Sequence, residues 1–291
     1  MLMWIWLFIL GCSFGSFINV IALRYDPDRF LLNPKVIGGR SHCPQCGKTL
    51  RWYELLPLIS FLLQFGRCRS CKTKISPRYP TVEVVSGLIF VSVPYRLQFL
   101  ASGGLKIPES YDGAVNMLWI AVFLTLLLIF LIDMRTQLIP DEANIFLALL
   151  GVVLFIINYS GFDIIQDSFL GSYALLLGSG MHIARHYFLG VLFGLGFFGF
   201  LILVTKGRGM GMGDMKLAGA LGILFGFADL AVIVGLSFIL GGMFGAATIV
   251  LKRKKMKSFL PFGPFLAIGA AVVFFFGFSI IEFYFKLFNF I

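Results

Sequence analysis

Long apolar runs separated by short polar stretches dominate this chain. A helix needs roughly 17 to 25 apolar residues to cross a bilayer, and seven runs of that kind lie at 1–23, 81–100, 117–133, 143–159, 187–205, 230–251 and 262–287. A shorter, glycine-containing run at 215–229 adds an eighth span, whose brevity indicates tilt or burial by protein. The pattern predicts an all-α polytopic membrane protein with about eight transmembrane helices.

The composition excludes an ordinary soluble protein. Hydrophobic residues make up 59% of the 291 residues, charged residues make up 13%, and the mean hydropathy is +0.93. A net charge of +10 would suggest a nucleic-acid partner in a soluble protein, but here it is expected to report topology, and no nucleic-acid partner is predicted. The first run lacks a basic n-region and a cleavage signal, so it is interpreted as a retained helix.

The distribution of positive charge predicts the orientation. Eight spans with both termini outside place 20 of the 24 Lys and Arg residues in cytoplasmic segments, at 24–80, 134–142, 206–216 and 252–257, as the positive-inside tendency requires. The basic run at 252–257 is expected to anchor the topology and to touch anionic membrane lipid. A weakly apolar piece, Phe169 to Met181, is assigned to an outer loop or re-entrant element, because a span there would move Asp214 outside.

The chain divides into a first transmembrane helix at 1–23, a cytoplasmic loop domain at 24–80 and a transmembrane domain at 81–291. In the loop, two C-x-x-C pairs have a spacing typical of a Cys₄ zinc ribbon, and they consist of Cys43, Cys46, Cys68 and Cys71. A structural zinc ion would supply folding free energy that a small polar loop lacks. Two disulfides are the alternative, but thiols persist in the reducing cytoplasm.

Two acids are expected at the cytoplasmic interface. Asp133 directly follows the apolar run that ends at Ile132, and Asp214 lies in the glycine-spaced stretch from Gly209 to Lys216. Ionisable residues at the ends of spans usually mark function. Two neighbouring carboxylates do not readily both ionise, so one can act as a base toward water while the other donates a proton to a carbonyl oxygen. Hydrolysis by an aspartate pair is the function that these residues favour.

Other roles for the same residues stay open. Asp141 and Asp214 each precede an apolar run, where a carboxylate can cap a helix N-terminus, and Asp133 could extend into the lipid headgroups. Asn19 and Asn144 could serve only to form interhelical hydrogen bonds, and the alternative for Asn19 is that it reaches the cavity. A function of another class is a transporter or assembly subunit with a zinc-ribbon docking domain and a proton relay. A relay favours acids at the bilayer midplane, away from the interface.

Several ordered motifs resemble those of the bacterial type IV prepilin peptidases, membrane aspartic proteases of the GxGD type. The motifs are GSFINV at 15–20, the paired C-x-x-C loop, ISPRYPTVE at 75–83, ID at 132–133, LIPD at 138–141, GMGDMKL at 211–217 and PFGPFLA at 261–267. The match covers nearly the whole chain. It implies cleavage of the short basic leader of prepilins or pseudopilins at the cytoplasmic face of the bacterial inner membrane.

The resemblance also assigns site residues. The family's two catalytic aspartates fall on Asp133 and Asp214, and its substrate-facing loops include Gly211, Gly213, Lys216 and Asp141. The glycines are expected to form a flexible turn that lets a substrate backbone lie beside the catalytic water. The resemblance therefore implies an active site made by two loops that meet at one membrane face.

A second activity is implied by the same resemblance. Family members that carry the four-cysteine loop look like S-adenosylmethionine-dependent N-methyltransferases for the freed amino terminus, which makes S-adenosylmethionine a cofactor by resemblance. Family position points to Glu83 and Gly87 as contributors, whereas an interfacial ion pair with Arg78 is the alternative role for Glu83. No glycine-rich dinucleotide-type fingerprint for the methyl donor is visible in the sequence. A peptidase without methyl transfer is the nearest alternative function.

Overall fold

The computed structural model describes residues 2–102, 109–159, 168–171, 173–174, 183–207, 209–251 and 261–287. Across these residues the fold is helical apart from two isolated β-bridges, which confirms the predicted all-α class. The helices are α1 (Leu2–Arg24), α2 (Pro34–Ile37), α3 (Ile59–Leu63), α4 (Arg78–Ser102), α5 (Glu109–Thr136), α6 (Asp141–Tyr159), α7 (Ile183–Thr205), α8 (Met212–Val250) and α9 (Gly263–Leu287), with a 3₁₀ turn at Trp52–Glu54. The basic run at 252–257 lies outside the described residues.

Seven of the described helices are long and apolar enough to cross a membrane, namely α1 and α4 to α9. The difference from the predicted eight spans lies in α8, a helix of 39 residues that contains both of the runs predicted at 215–229 and 230–251. Gly226 interrupts it, with a φ of 74° and a ψ of −176°. The first half of α8 (residues 212–225) and the second half (residues 227–250) are therefore separate helical segments.

Contacts with α7 show that the chain reverses at Gly226. A Cβ placed at Gly194 would stand 2.6 Å from the carbonyl oxygen of Ala218 in the first half, and the ring of Phe198 packs on Phe238 of the second half. Ala218 and Phe238 would be about 30 Å apart in a straight helix, yet they contact positions of α7 that are one turn apart. The two halves run in opposite directions, as the eight-span prediction requires.

Glycine is needed at this reversal for two reasons. The positive φ of Gly226 lies in the region that side chains disfavour, and the ring of His186 lies directly against the Gly226 backbone. Nearby, a Cβ at Gly190 would stand 2.7 Å from the carbonyl oxygen of Gly222. Small residues of this kind let membrane helices pack with their backbones in contact, and they hold α7 tightly against the first half of α8.

An aromatic cluster lies beside the Gly226 reversal. The indole of Trp119 on α5 lies 5.4 Å from the ring of Phe225 and 4.9 Å from the ring of Phe274, measured between ring centroids. Phe169 joins the cluster at 5.4 Å from Trp119. These edge-to-face and tilted contacts are favourable aromatic geometries. They tie α5, α8 and α9 to the connection between α6 and α7.

The described part of that connection enters the bundle. Phe169, Leu170 and Ala174 are buried, which agrees with the predicted re-entrant element, although most of Phe169 to Met181 lies outside the described residues. Asp229 on α8 holds this segment, because its carboxylate accepts hydrogen bonds from the hydroxyl of Ser168 and, at 3.2 Å, from the N–H of Phe169. The sequence analysis did not single out Asp229; the available signal was an acid isolated in an apolar run.

The reversal generates a stability prediction. Gly226→Ala forces a side chain into a positive-φ position that faces the His186 ring, so we expect the free energy of unfolding to fall by about 2 kcal/mol or more. Gly235→Ala is the matched control, because it lies in the same helix with open space around it. Thermal unfolding in detergent measures both variants, and equal midpoints would contradict the proposed strain.

Candidate active site

Asp133 and Asp214 lie at the same end of the helical bundle. Asp133 is three residues before the end of α5 at Thr136, and Asp214 is two residues after the start of α8 at Met212. The side chains are buried, with 3% and 9% of their surface exposed. The carboxylates interact electrostatically with each other. The structure thus brings together the two acids that the sequence analysis paired.

Ile139 determines how closely the surrounding segments approach. A Cβ at Gly213 would stand 3.1 Å from Ile139 Cβ, and a Cβ at Gly263 would stand 3.0 Å from Ile139 Cδ1. The same Gly263 Cβ would stand 2.7 Å from Asp133 Oδ2. Ile139 belongs to the α5–α6 loop, whereas the glycines begin α8 and α9. All three segments meet around the two acids, and a side chain at Gly263 would collide with one of them.

The prediction that Gly209 to Lys216 form a flexible turn is wrong for the second half of that stretch. Residues from Met212 onward are helical, and Gly211 is the N-cap residue of α8, with a φ of −89° and a ψ of 158°. Neither Gly211 nor Gly213 has a positive φ. A side chain at Gly213 would press against Ile139, so limited space and not conformational freedom favours glycine here.

The two carboxylates have different partners. Asp214 Oδ2 accepts a hydrogen bond from the N–H of Gly211 at 3.2 Å, which confirms the helix-capping role. Asp133 Oδ2 is buried and makes no hydrogen bond of ordinary geometry among the described residues, and the backbone group that faces the Asp133 carboxylate is the N–H of Gly263. Buried polar atoms are nearly always hydrogen-bonded. This oxygen is therefore available to a water molecule or to a substrate.

An ion pair joins the start of α8, which carries Asp214, to the start of α6. Lys216 Nζ lies 2.8 Å and 2.7 Å from the two carboxylate oxygens of Asp141, which is the first residue of α6. Both side chains are exposed, so the pair contributes at most about 1 kcal/mol to stability. Its effect is to fix the start of α8 relative to the start of α6.

Two buried amides near the same end have no hydrogen-bond partners. Asn19 and Asn144 are buried, and neither the oxygen nor the nitrogen of either side chain is hydrogen-bonded within the described residues. The predicted interhelical hydrogen bonds are therefore wrong. Asn144 lies three residues after Asp141, so it sits at about the depth of Asp133. An unpaired buried amide costs about 1–3 kcal/mol, and a bound peptide or water could satisfy it.

The four cysteines of the insert converge as predicted. Their Sγ atoms all lie within 4.8 Å of one another, and Cys43 Sγ is 3.8 Å from Cys71 Sγ. A tetrahedral zinc ion with Zn–S bonds of about 2.3 Å gives sulfur separations of about 3.8 Å. All four are free thiols, in contrast to the two-disulfide alternative.

The two C-x-x-C pairs fold into matching knuckles. In each one the N–H of the first cysteine, Cys43 or Cys68, donates at 2.9 Å to the carbonyl oxygen five residues later. Gly47 and Lys72, four residues after those cysteines, both have a positive φ. The repeated turn places two sulfur atoms of each knuckle on one side, and the donor set fits a structural zinc ion.

Glu83 does not pair with Arg78. Its Oε2 atom accepts a hydrogen bond of 2.8 Å from the N–H of Leu58, at the start of α3. Arg78 Nη2 lies 3.3 Å from the carbonyl oxygen of Leu131, to which it donates. The ion-pair alternative is therefore wrong. Glu83 instead attaches the insert to α4.

Gly87 lies where α1 and α4 pack. A Cβ there would stand 2.7 Å from a ring carbon of Phe8 and 2.8 Å from Cys12 Sγ. Gly87 therefore fits a packing role and does not itself line a cavity for a methyl donor. Glu83, one turn earlier, keeps a carboxylate that could hold an amine.

Comparison with known proteins gives matches over most of the chain. Residues 9–97 match the bacterial Peptidase A24 N-terminal domain, and residues 120–246 match the type IV leader peptidase family. A prepilin leader peptidase/N-methyltransferase of Bacillus subtilis is 32% identical over 97% of both chains. Proteins of the same name from Aeromonas hydrophila and Burkholderia pseudomallei are 32% and 30% identical, over 95% and 92% of this chain and 92% and 84% of their own. No solved structure matches.

The cysteine cluster generates a metal-content prediction. Cys71→Ser removes one of four thiolates, so we expect the purified protein to lose most of its zinc, in contrast to Cys12→Ala, which removes a buried cysteine of α1 outside the cluster. Structural zinc sites need the complete ligand set to bind tightly. Elemental analysis of both variants measures the zinc-to-protein ratio. Equal ratios in the two variants would refute the zinc site.

Proposed function

This chain belongs to the type IV leader peptidase family, and we propose that Asp133 and Asp214 are the acid/base pair with which it cleaves the leader from prepilins or pseudopilins. The observation that carries the proposal is the convergence of two buried carboxylates from different helices at one end of the bundle. Buried ionisable residues in membrane proteins generally serve function. The relatives named above are prepilin leader peptidases, which agrees with this chemistry.

The proposed mechanism uses water as the nucleophile. One carboxylate removes a proton from the water as its oxygen attacks the scissile carbonyl carbon, while the other, protonated, donates its proton to the carbonyl oxygen. Collapse of the tetrahedral intermediate breaks the C–N bond, and the proton held by the base passes to the departing amine. The unpaired Asp133 Oδ2 supports this proposal, since it needs a partner that a water or peptide would provide.

The proposed position of the substrate follows from the location of Asp133 and Asp214 near the ends of their helices. A prepilin would place its apolar helix among the spans, with its basic leader extending past the end of the bundle where the acids lie. We propose that this end faces the cytoplasm and that the membrane is the bacterial inner membrane, because the positively charged segments accumulate on that side. Gly211, Gly213, Lys216 and Asp141 would shape the loops against which the scissile peptide lies.

A proton relay has less support. The paired acids lie within a turn of the helix ends and not at mid-bundle, and the third buried aspartate, Asp229, lies beside the Gly226 reversal, where it accepts hydrogen bonds from Ser168 and Phe169. Asp229 therefore has a structural role at the other end of the first half of α8. The described acids do not form a chain across the bundle, which is what a relay requires.

We also propose a methyltransferase activity for the freed amino terminus. The matched relatives are named leader peptidase/N-methyltransferases. When bound, S-adenosylmethionine would supply the methyl group. Glu83 is the residue of this chain proposed to hold the substrate amine, and Gly87 would contribute through the packing of α1 on α4. Residues 24–80 would form the zinc-stabilised domain associated with this activity, and residues 81–291 would form the peptidase domain.

Removing either carboxylate should abolish peptide cleavage. We expect Asp133→Asn and Asp214→Asn each to lower the rate of leader cleavage by at least about 10³-fold, because neither amide can act as the missing acid or base. Asp229→Asn is the matched control, since it also removes a buried carboxylate, and it should retain most of the activity. Mass analysis of a purified prepilin substrate measures the product. Full activity in either of the first two variants would exclude the proposed pair.

Glu83 variants separate a direct role in methyl transfer from the attachment of the insert. Glu83→Gln keeps an oxygen that can accept from Leu58 N–H but removes the charge, whereas Glu83→Ala removes both. We expect Glu83→Gln to lower transfer of a labelled methyl group from S-adenosylmethionine to a processed pilin by about tenfold or more, with leader cleavage unchanged. Wild-type methyl transfer in Glu83→Gln would show that the carboxylate charge has no role in that reaction.

A further inference from the structure

The insert contains an apolar segment at residues 55–66, with the sequence LLPLISFLLQFG and no charged side chain. The sequence analysis described the whole of 24–80 as polar and did not identify this segment. Twelve residues are too few to cross a bilayer as a helix. Apolar runs of about 10–14 residues belong either to a buried core or to a membrane interface.

The structure excludes a buried core within the described residues. No residue of α3, which forms the centre of the apolar segment, is buried. Leu62 and Phe65 expose 69% and 89% of their surface, and Ile59 and Leu63 are exposed as well. Leu203, on the candidate membrane-spanning helix α7, has a similar exposure of 78%. Contiguous exposed apolar side chains of this kind mark a binding surface.

A hydrogen bond attaches the apolar segment to the side of α4, inside the end of the bundle. The N–H of Leu58 donates to Glu83 Oε2 at 2.8 Å, and Glu83 lies five residues inside α4, about 7 Å from the helix start. Glu83 is buried, and its backbone lies against Gly15 of α1. Leu58, in the first third of the segment, therefore lies beside the first turns of α4, a helix long and apolar enough to cross a membrane.

Positive charge flanks the apolar segment on both sides. Arg51 precedes it, and Arg67 and Arg69 follow it, all exposed. The acid next to it, Glu54, is buried and accepts a hydrogen bond of 2.9 Å from the N–H of Arg51. Trp52 is exposed at the edge of the segment. Apolar side chains bordered by an aromatic residue and by basic residues are typical of elements that lie in an anionic membrane interface.

We propose that residues 55–66 insert into the boundary between headgroups and acyl chains as a second membrane attachment of the zinc-binding insert, with anionic phospholipid as the partner. The bilayer surface concerned is the one at the end of the bundle that holds Asp133, because Arg135 donates at 2.9 Å to the carbonyl oxygen of Ala22, near the end of α1 where the insert begins. The attachment keeps the cysteine cluster beside the active-site end. A second copy of the chain or a prepilin helix are the competing occupants.

Photo-cross-linking in a bilayer tests the proposal. The full chain, with p-benzoylphenylalanine at the position of Leu62 or of Phe65, is placed in nanodiscs of phosphatidylcholine and phosphatidylglycerol in equal parts and is irradiated without substrate. The control carries the same group at Gln45, which is exposed between two cysteines of the first knuckle. Only preparations that contain zinc and are monodisperse are used, since these are folded. Two probe positions are tested so that a result is obtained even if one of the two variants does not fold.

The expected result is phospholipid adduct at Leu62 and Phe65 with a yield at least about tenfold above that at Gln45, because a probe among acyl chains is in constant contact with lipid C–H bonds, whereas a probe at Gln45 faces water. Phosphatidylglycerol should exceed its half share of the adducts. Equal yields at all three positions, or cross-links from Leu62 and Phe65 to a second copy of the chain, would overturn the proposal. Adducts in proportion to the bilayer composition would overturn the assignment of anionic lipid.

Discussion

The contact of Ile139 with Gly213 and Gly263 is the constraint on which the candidate site depends. Two carboxylates repel when both are charged, and burial makes each of them costly, so packing elsewhere must hold them together. Ile139 provides this packing, because its side chain contacts the start of α8 and the start of α9 while it belongs to the loop after α5. The exposed Lys216–Asp141 pair adds alignment but little stability. The site is held by shape complementarity around two glycines.

The reversal at Gly226 makes that arrangement possible. Because the chain turns back there, the first half of α8 can begin beside Asp214 and the second half can return to the same end. There the Ser237 hydroxyl donates to the carbonyl oxygen of Ile233 at 2.6 Å and lies 3.0 Å from the carbonyl oxygen of Phe265. A Cβ at Gly269 would stand 2.9 Å from the same Ile233 oxygen, so close packing of α9 on α8 brings the start of α9, with Gly263, beside the acids. At the other end, the aromatic cluster around Trp119 and the carboxylate of Asp229 fix the entering segment. Both ends of the first half of α8 are therefore tied to neighbouring elements.

The sequence predicts the features that depend on depth and composition. Span positions, the pairing of Asp133 with Asp214 and the cysteine cluster follow from apolar length, charge distribution and ligand spacing, which are local properties. Features that depend on what lies opposite a residue could not be predicted. Gly213 was assigned to flexibility because sequence does not show that Ile139 faces it, and Asn19 was assigned a partner that the packing does not provide. The apolar segment at 55–66 was not predicted, because charged residues on both sides make the loop as a whole look polar.

The central claim is that Asp133 and Asp214 act as one unit. The most direct measurement is the single-turnover rate of leader cleavage for the variants Asp133→Asn, Asp214→Asn and the double variant, with zinc content confirming that each is folded. Residues that act as a unit are strongly non-additive, so the double variant should lose no more activity than either single variant. Losses that multiply in the double variant would contradict the claim, because they would show two independent contributions.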